Sequence, residues 1–349
     1  MDFQPDYRNI VDAARNLRPR RLPLYEHVIA DEIMEQVLGE NVALQGASAA
    51  DYRARYDRVC AFWKRMTYDT VSYEAGICAI LPGNGAIMGG KAGPIQNRAD
   101  FNAYPFDDVP RLFWEKYTPH LDALRAALPE GMKLIGGCGT GVFEISEDLV
   151  GYEWLCMLQY DDPELFADLY KKIGDLMITL LTQLYDRYGD LFCVGRMGDD
   201  LGFKSSTLLA PEIIIQHIIP QYKRIITFVH SRQKPFLLHS CGCIFSVMEE
   251  ILSAGIDAKH SNEDQIAPFT DWIARYSGRI GLFGGIDVNV LCQKAPKIVY
   301  AEVLKQGSEY RKTAKGHALG SGNSIPNYVP VEGYLAMVEA AKAIRKQER

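Results

Sequence analysis

The stretch Pro235-Phe-Leu-Leu-His239-Ser-Cys241-Gly-Cys243 decides how the rest of the chain is read. Pro235 to Leu238 is a short apolar run of the kind that forms a strand buried on both faces of a parallel sheet. It closes on a histidine and two cysteines. His239 and Cys241 are two residues apart, so on an extended backbone their side chains leave from the same face. An imidazole nitrogen beside a thiolate at a strand end is the beginning of a zinc site.

Outward from this strand the same unit recurs. Toward the N-terminus, Met132 to Gly139 and Leu191 to Met197 are apolar strands. Toward the C-terminus, Ile256 to His260, Ile280 to Phe283 and His317 to Leu319 follow. Helical stretches lie between and after them: Glu147–Leu158, Asp162–Tyr188, Pro211–Arg232, Phe245–Ala254, Ala267–Tyr276, Ala295–Thr313 and Val331–Lys346. Ahead of this rhythm, Leu22 to Ile29 is a candidate first strand, and Ala50–Thr67 and Asp107–Leu128 are helical. Val71–Leu81 is a strand-like run that leads into a glycine-rich loop or hairpin over 82–94. Residues 1–22 form a polar N-terminal extension. Strands alternating with amphipathic helices pair in parallel through right-handed crossovers. With at least six units in 349 residues, the expectation is α/β, a single (β/α)8 TIM barrel with N-terminal additions, one domain over 1–349. An open doubly wound sheet is the alternative, but no glycine fingerprint follows a first strand.

The composition narrows the function. The chain is 48% hydrophobic and 23% charged with net charge −6, so neither nucleic acid nor an anionic membrane is an expected partner. No run approaches the roughly 20 apolar residues of a membrane span, and no secretion signal opens the chain. Eight scattered cysteines then read as free thiols or ligands in a cytoplasmic protein.

In a barrel of this kind the chemistry lies where the strands end. Those ends carry Gly137-Cys138-Gly139, Gly198-Asp199-Asp200, His239-Ser-Cys241-Gly-Cys243, His260-Ser-Asn-Glu263-Asp264, Gly284-Gly-Ile-Asp287 and Gly320-Ser-Gly-Asn323. So many polar ends point to an active site, since buried polar groups are costly unless used or paired. For Asp199, Asp264 and Asp287 a helix cap or loop hydrogen bond is an equal alternative.

Gly198-Asp-Asp-Leu-Gly-Phe-Lys-Ser-Ser206, Leu238-His-Ser-Cys-Gly242, Gly284-Gly-Ile-Asp287 and Gly320-Ser-Gly-Asn-Ser-Ile-Pro326 resemble the uroporphyrinogen decarboxylase superfamily over roughly residues 100–349. The resemblance implies a (β/α)8 barrel with one of two activities. One is cofactor-free decarboxylation of a porphyrinogen; the other is zinc-dependent methyl transfer to or from a corrinoid. The arginine-rich N-terminal motif of the decarboxylases has no counterpart in Leu22-Pro-Leu-Tyr-Glu-His27, and a substrate with eight carboxylates wants clustered arginines. The methyltransferase branch has His-x-Cys at a middle strand end, which makes His239 and Cys241 zinc ligands by resemblance.

Thiol-methylating members carry a third ligand, a cysteine, where this chain has Asn323. Fewer thiolates leave a harder, more Lewis-acidic metal, suited to an ether leaving group. For the missing ligand Glu153 is the first choice and Cys243 the second, with Asp200 and Asn323 behind them. The expected function is removal of a methyl group from a small methylated substrate, an aryl methyl ether, to the Co(I) of a corrinoid on a partner protein. His260, Glu263 and Asp200 are the expected catalytic residues. Phe143, Phe203, Asn323 and Tyr328 are the expected substrate contacts, and Asp107–Arg111 and Tyr328–Val331 the candidate docking rims. The alternatives are methylcobamide-to-thiol transfer, uroporphyrinogen decarboxylation, and a non-catalytic corrinoid-binding barrel. The oligomeric state is left open.

Overall fold

A computed structural model describes residues 3–348. Seven parallel strands pair in simple sequence order: β1 Thr70–Gly76, β2 Lys133–Gly139, β3 Phe192–Gly198, β4 Phe236–His239, β5 Ala258–His260, β6 Gly281–Ile286 and β7 His317–Ser321. Each crossover carries helices to the outside of this curled sheet, giving an α/β fold like a TIM barrel. The long helix Pro163–Tyr188 begins where the Asp162 side chain accepts from the Leu165 amide at 2.8 Å, an N-cap that satisfies one of its free donors. Among the described residues no helix is long and apolar enough to cross a membrane. All eight cysteines are free thiols.

The expected first strand behaves differently. Leu22–Ile29 lies against β7 but makes only isolated parallel bridges, Leu24 to Leu319 and Ile29 to Ile325. Pro23 has no amide to donate, and the Glu26 carboxylate takes up the Ser321 amide at 2.8 Å that a continuous ladder would engage. On its other side Ser72 of β1 donates to the Glu26 carbonyl at 2.5 Å. The segment thus touches both edges of the seven-stranded sheet.

Inside the curl, Ile135, Val194, Leu237, Ala258, Phe283 and Ala318 from successive strands pack with Tyr25. Ile10, Ala13 and Ala14 of the helix Arg8–Ala14 belong to the same cluster. Residues 1–22, read as a polar lead-in, therefore contain a helix that packs against the barrel core.

Register decides what meets at the opposite end. Gly198 pairs with His239, and His239 with His260. The residues two places beyond Gly198 and His239, Asp200 and Cys241, thus come side by side.

Candidate metal centre at the barrel mouth

His239 is buried at the end of β4 with Nε2 3.4 Å from Cys241 Sγ and 3.8 Å from Asp200 Oδ1. All three donor atoms lie within 4.8 Å of one another. The Cys241 amide donates to the same Asp200 oxygen at 2.8 Å, which ties the two strand ends together. Tetrahedral zinc with bonds of about 2.0–2.3 Å needs ligand-to-ligand edges of about 3.3–3.8 Å. The donors are of the types zinc takes, and the two edges from His239, at 3.4 and 3.8 Å, match that demand.

A hydrogen-bond chain sets the direction of the His239 lone pair. The Ser321 carbonyl can only accept, so His260 carries its hydrogen on Nε2 and donates it there at 3.0 Å. Burial pushes His260 down to about 3, so the ring is neutral and its Nδ1 accepts. It receives the Nδ1–H of His239 at 2.8 Å. His239, held well below its usual range by burial and by its imidazole and cationic neighbours, is left with a bare Nε2 facing Cys241 and Asp200. A ligating histidine whose other nitrogen is so engaged has its tautomer and ring orientation fixed. His27 stacks on His239 with ring centroids 3.8 Å apart and planes 14° from parallel.

The Cys241 sulfur receives Asn323 Nδ2 at 3.3 Å and Ser261 Oγ at 3.5 Å. Burial, with Asp200 nearby, pushes its thiol up to about 12; a divalent cation between these donors would reverse that preference.

The two aspartates of Gly198-Asp-Asp divide their work. Asp199 is fully buried and accepts from the Phe143 amide at 3.0 Å, the Glu144 amide at 2.9 Å and the Tyr222 hydroxyl at 2.6 Å. It caps the helix Val142–Val150. Gly141 is required there, because a Cβ would fall 2.1 Å from the Asp199 side chain. Asp200 faces the mouth. Glu144, at the same helix start, accepts from the Asp200 amide at 3.4 Å. Burial and the charges of Asp199 and Asp200 push its carboxyl up to about 9. Glu147 rises to about 8 for the same reasons.

The expected site residues separate into three groups. His239, Cys241 and Asp200 converge, with Asn323 on the sulfur. Glu263, Asn323 and Tyr328 line a cleft of about 320 Å³ together with Asn262 and Asn289; Tyr328 is 71% exposed at its rim. His260 belongs behind His239 rather than facing substrate, since it is fully buried with both nitrogens engaged. The remaining four lie elsewhere. Phe143 is in the core, turned inward by the Asp199 cap. Cys243 is directed away by Gly242, whose φ of +78° and contact with Gly202 leave no room for a side chain; it lines a separate cavity with Ser205 and Ser246. Glu153 is exposed in the first turn of the helix Tyr152–Asp161. The helix expected over Glu147–Leu158 is broken at Gly151, φ +89°, and this break leaves Glu144 at the mouth and Glu153 outside. Phe203 is 61% exposed on the loop that meets Cys243.

Glu144 and His27 were missed. Glu144 is the first carboxylate after the glycine-rich end of β2, a position signal open to sequence reading. His27 has none, because it arrives from the segment that only bridges β7.

The family model for uroporphyrinogen decarboxylase (URO-D) matches residues 61–344. The chain belongs to the uroporphyrinogen decarboxylase family. A search of curated protein sequences found no match. Among solved structures, this family member is similar in fold to a methyltransferase from Methanosarcina mazei, with a TM-score of 0.71 at 15% identity over 96% of this chain and 97% of that one. A glycoside hydrolase family 5 enzyme from Prevotella bryantii matches at a TM-score of 0.46 and 9% identity, over 98% of this chain and 100% of that one. A xylose isomerase-like TIM barrel protein from Mycobacterium smegmatis matches at 0.43 and 7% identity, over 93% and 97%.

Proposed function

We propose that this chain is a zinc-dependent methyltransferase. In this reading it passes the methyl group of a small methylated substrate, an aryl methyl ether, to the Co(I) of a corrinoid carried by another protein. The observation that carries the reading is the convergence of His239 Nε2, Cys241 Sγ and Asp200 Oδ1 at the mouth, with His260 holding the first of these as a free lone pair. Family membership and the fold likeness to the Methanosarcina mazei methyltransferase support it.

Zinc held by His239, Cys241 and Asp200 would supply a Lewis acid for the oxygen of the departing group. The donor set favours that role over activating a thiol, because it holds one sulfur and not two. Asn323 stands where the thiol-methylating members have a cysteine, and its Nδ2–H donates to the one sulfur present, which draws charge from it. In this reading a small ring occupies the cleft lined by Asn262, Asn289, Asn323 and Tyr328, which adjoins the donors through the Asn323 contact with the Cys241 sulfur. Glu144, its carboxyl pushed up to about 9 by burial and by the charges of Asp199 and Asp200, stands beside Asp200, and this reading assigns it the protonation of the departing phenolate.

Among the described residues, the two buried cations nearest the metal centre are already committed within the fold. Arg196 is buried and engaged by Glu74 at 3.2 Å, by Tyr25 and by the His27 carbonyl. Lys259 is buried against the Trp272 ring at 4.0 Å. The test is anaerobic incubation of the zinc-loaded protein with methoxy-aromatics and Co(I) corrinoid. The expected result is loss of Co(I) absorbance matched by demethylated phenol. Turnover of uroporphyrinogen, or corrinoid binding with no transfer from any methoxy-aromatic, would contradict the reading.

A further inference from the structure

A cavity of about 1150 Å³ lies away from the mouth. It lies at the other end of the barrel, where β1 begins, between residues 3–21 and the last turns of the helices Ala49–Arg65 and Val331–Gln347. Its charge is opposite to that of the whole chain. The N-terminal segment contributes Arg20 and Arg21, the first helix Lys64 and Arg65, and the closing helix three more cations, Arg345 among them. Two carboxylates also line it, and both are already engaged. Asp6 is paired with Arg8 at 2.6 Å, and Glu348 with Arg311 and with the Leu22 amide at 3.0 Å.

Two of these cations also hold the fold together, and four enter no ion pair among the described residues. Arg345 anchors the closing helix by donating to the Leu22 carbonyl at 2.6 Å and to Thr67 at 2.8 Å, yet its second terminal nitrogen is buried without a partner. Arg21 pairs with Asp69 while its Nε is likewise buried and unpartnered. Both nitrogens are sealed from solvent, so these two arginines lend the cavity charge rather than a free donor. Lys64, Arg65, Arg345 and Lys346 sit in the last turns of helices, where cations complement the carbonyl ends. Arg20 comes from a loop and has no such reason to be there. Among the described residues the side chains of Arg20, Lys64, Arg65 and Lys346 enter no ion pair. The Phe3 ring lies between the guanidinium groups of Arg21 at 4.6 Å and Arg345 at 5.6 Å, which holds both at the cavity wall.

We propose that this cavity binds a small polyanion bearing several phosphate or carboxylate groups, independently of the metal centre. A single phosphate is too small for the volume and for the number of free cations. Bound there, such a ligand would tie the N-terminal segment to the two helices and stabilise the folded chain by mass action.

The test is calorimetric titration of the full-length protein, at about 20 mM and about 200 mM salt, with inorganic tripolyphosphate in one arm and citrate in the other. Arg20→Ala/Lys64→Ala is the main variant and Arg65→Ala/Lys346→Ala the second; neither removes a hydrogen bond of the fold. Binding in either arm, weakened at least tenfold by a double substitution and by the higher salt, supports the proposal, and the stronger arm names the ligand chemistry. Metal content is expected to be unchanged in both variants. No binding of either anion at about 1 mM, binding indifferent to both double substitutions, or tighter binding of an oligonucleotide than of either anion would overturn it.

Discussion

His260→Leu isolates the part of the metal centre that is least visible in a ligand count. The substitution keeps an apolar side chain of similar bulk in a fully buried place but removes the acceptor of the His239 Nδ1–H, now 2.8 Å away. A buried donor left unsatisfied costs about 1–3 kcal/mol. His239 escapes that cost by moving its hydrogen to Nε2, the nitrogen that faces Cys241 and Asp200. The ligating tautomer is then the unfavourable one, and about 1.4–2.8 kcal/mol of that preference is a 10- to 100-fold loss of zinc affinity. His260→Gln retains an amide oxygen that can accept, so its affinity should stay within about fivefold of wild type. The assay is competition against a chromogenic chelator at fixed pH, with circular dichroism and a thermal melt to establish that each variant is folded. A folded His260→Leu protein that holds zinc within about twofold of wild type would refute the tautomer argument.

Further outcomes follow from the same geometry. Asp200→Ala should lower zinc occupancy, and Glu153→Ala should leave it unchanged, because only the first carboxylate reaches His239 and Cys241; metal analysis after dialysis decides between them. Asp199→Ala removes the acceptor of two buried amides and the Tyr222 hydroxyl and should cost about 3 kcal/mol in urea denaturation. Raising the pH of the metal-free protein from 7 to 8 should lower its stability. Burial holds Glu26 up at about 8, Glu147 at about 8 and Glu144 at about 9, so the folded chain keeps protons that the unfolded chain has lost above its ordinary carboxyl range. Lys259, brought down to about 7 by burial, opposes this with one proton. The net sign is destabilising, about 1 kcal/mol over that unit after screening, and a melting temperature that rises from pH 7 to 8 would be the wrong sign.

What could be read before the structure follows from where the signals lie. β2 to β7 were legible because each is a short apolar run flanked by polar residues and glycines, and the polar ends fell at the mouth as such strands require. β1 was legible too, but its expected extent to Leu81 was too long, since the chain turns after Gly76. The segment 22–29 has the composition of a strand, yet Pro23 and the inserted Glu26 carboxylate keep it from forming a ladder. The helix Arg8–Ala14 is too short, at 7 residues, for periodicity to announce it. The spacing of His239 and Cys241 suggested a shared face, and the family resemblance singled them out as a pair. Asp200 needed the register of β3 against β4, which no local pattern carries. Glu153 was chosen by its place in the resemblance, and the break at Gly151 turns it outward, which no local pattern announces.

The central claim is that His239, Cys241 and Asp200 hold one zinc ion. The measurement that meets it directly is metal content of the purified protein beside His239→Ala and Cys241→Ala, each checked for folding. The account predicts about one zinc per chain in wild type, lost in both variants while their folds persist. Wild type that holds no metal and takes none up from added zinc, or folded variants that retain it, would contradict the account.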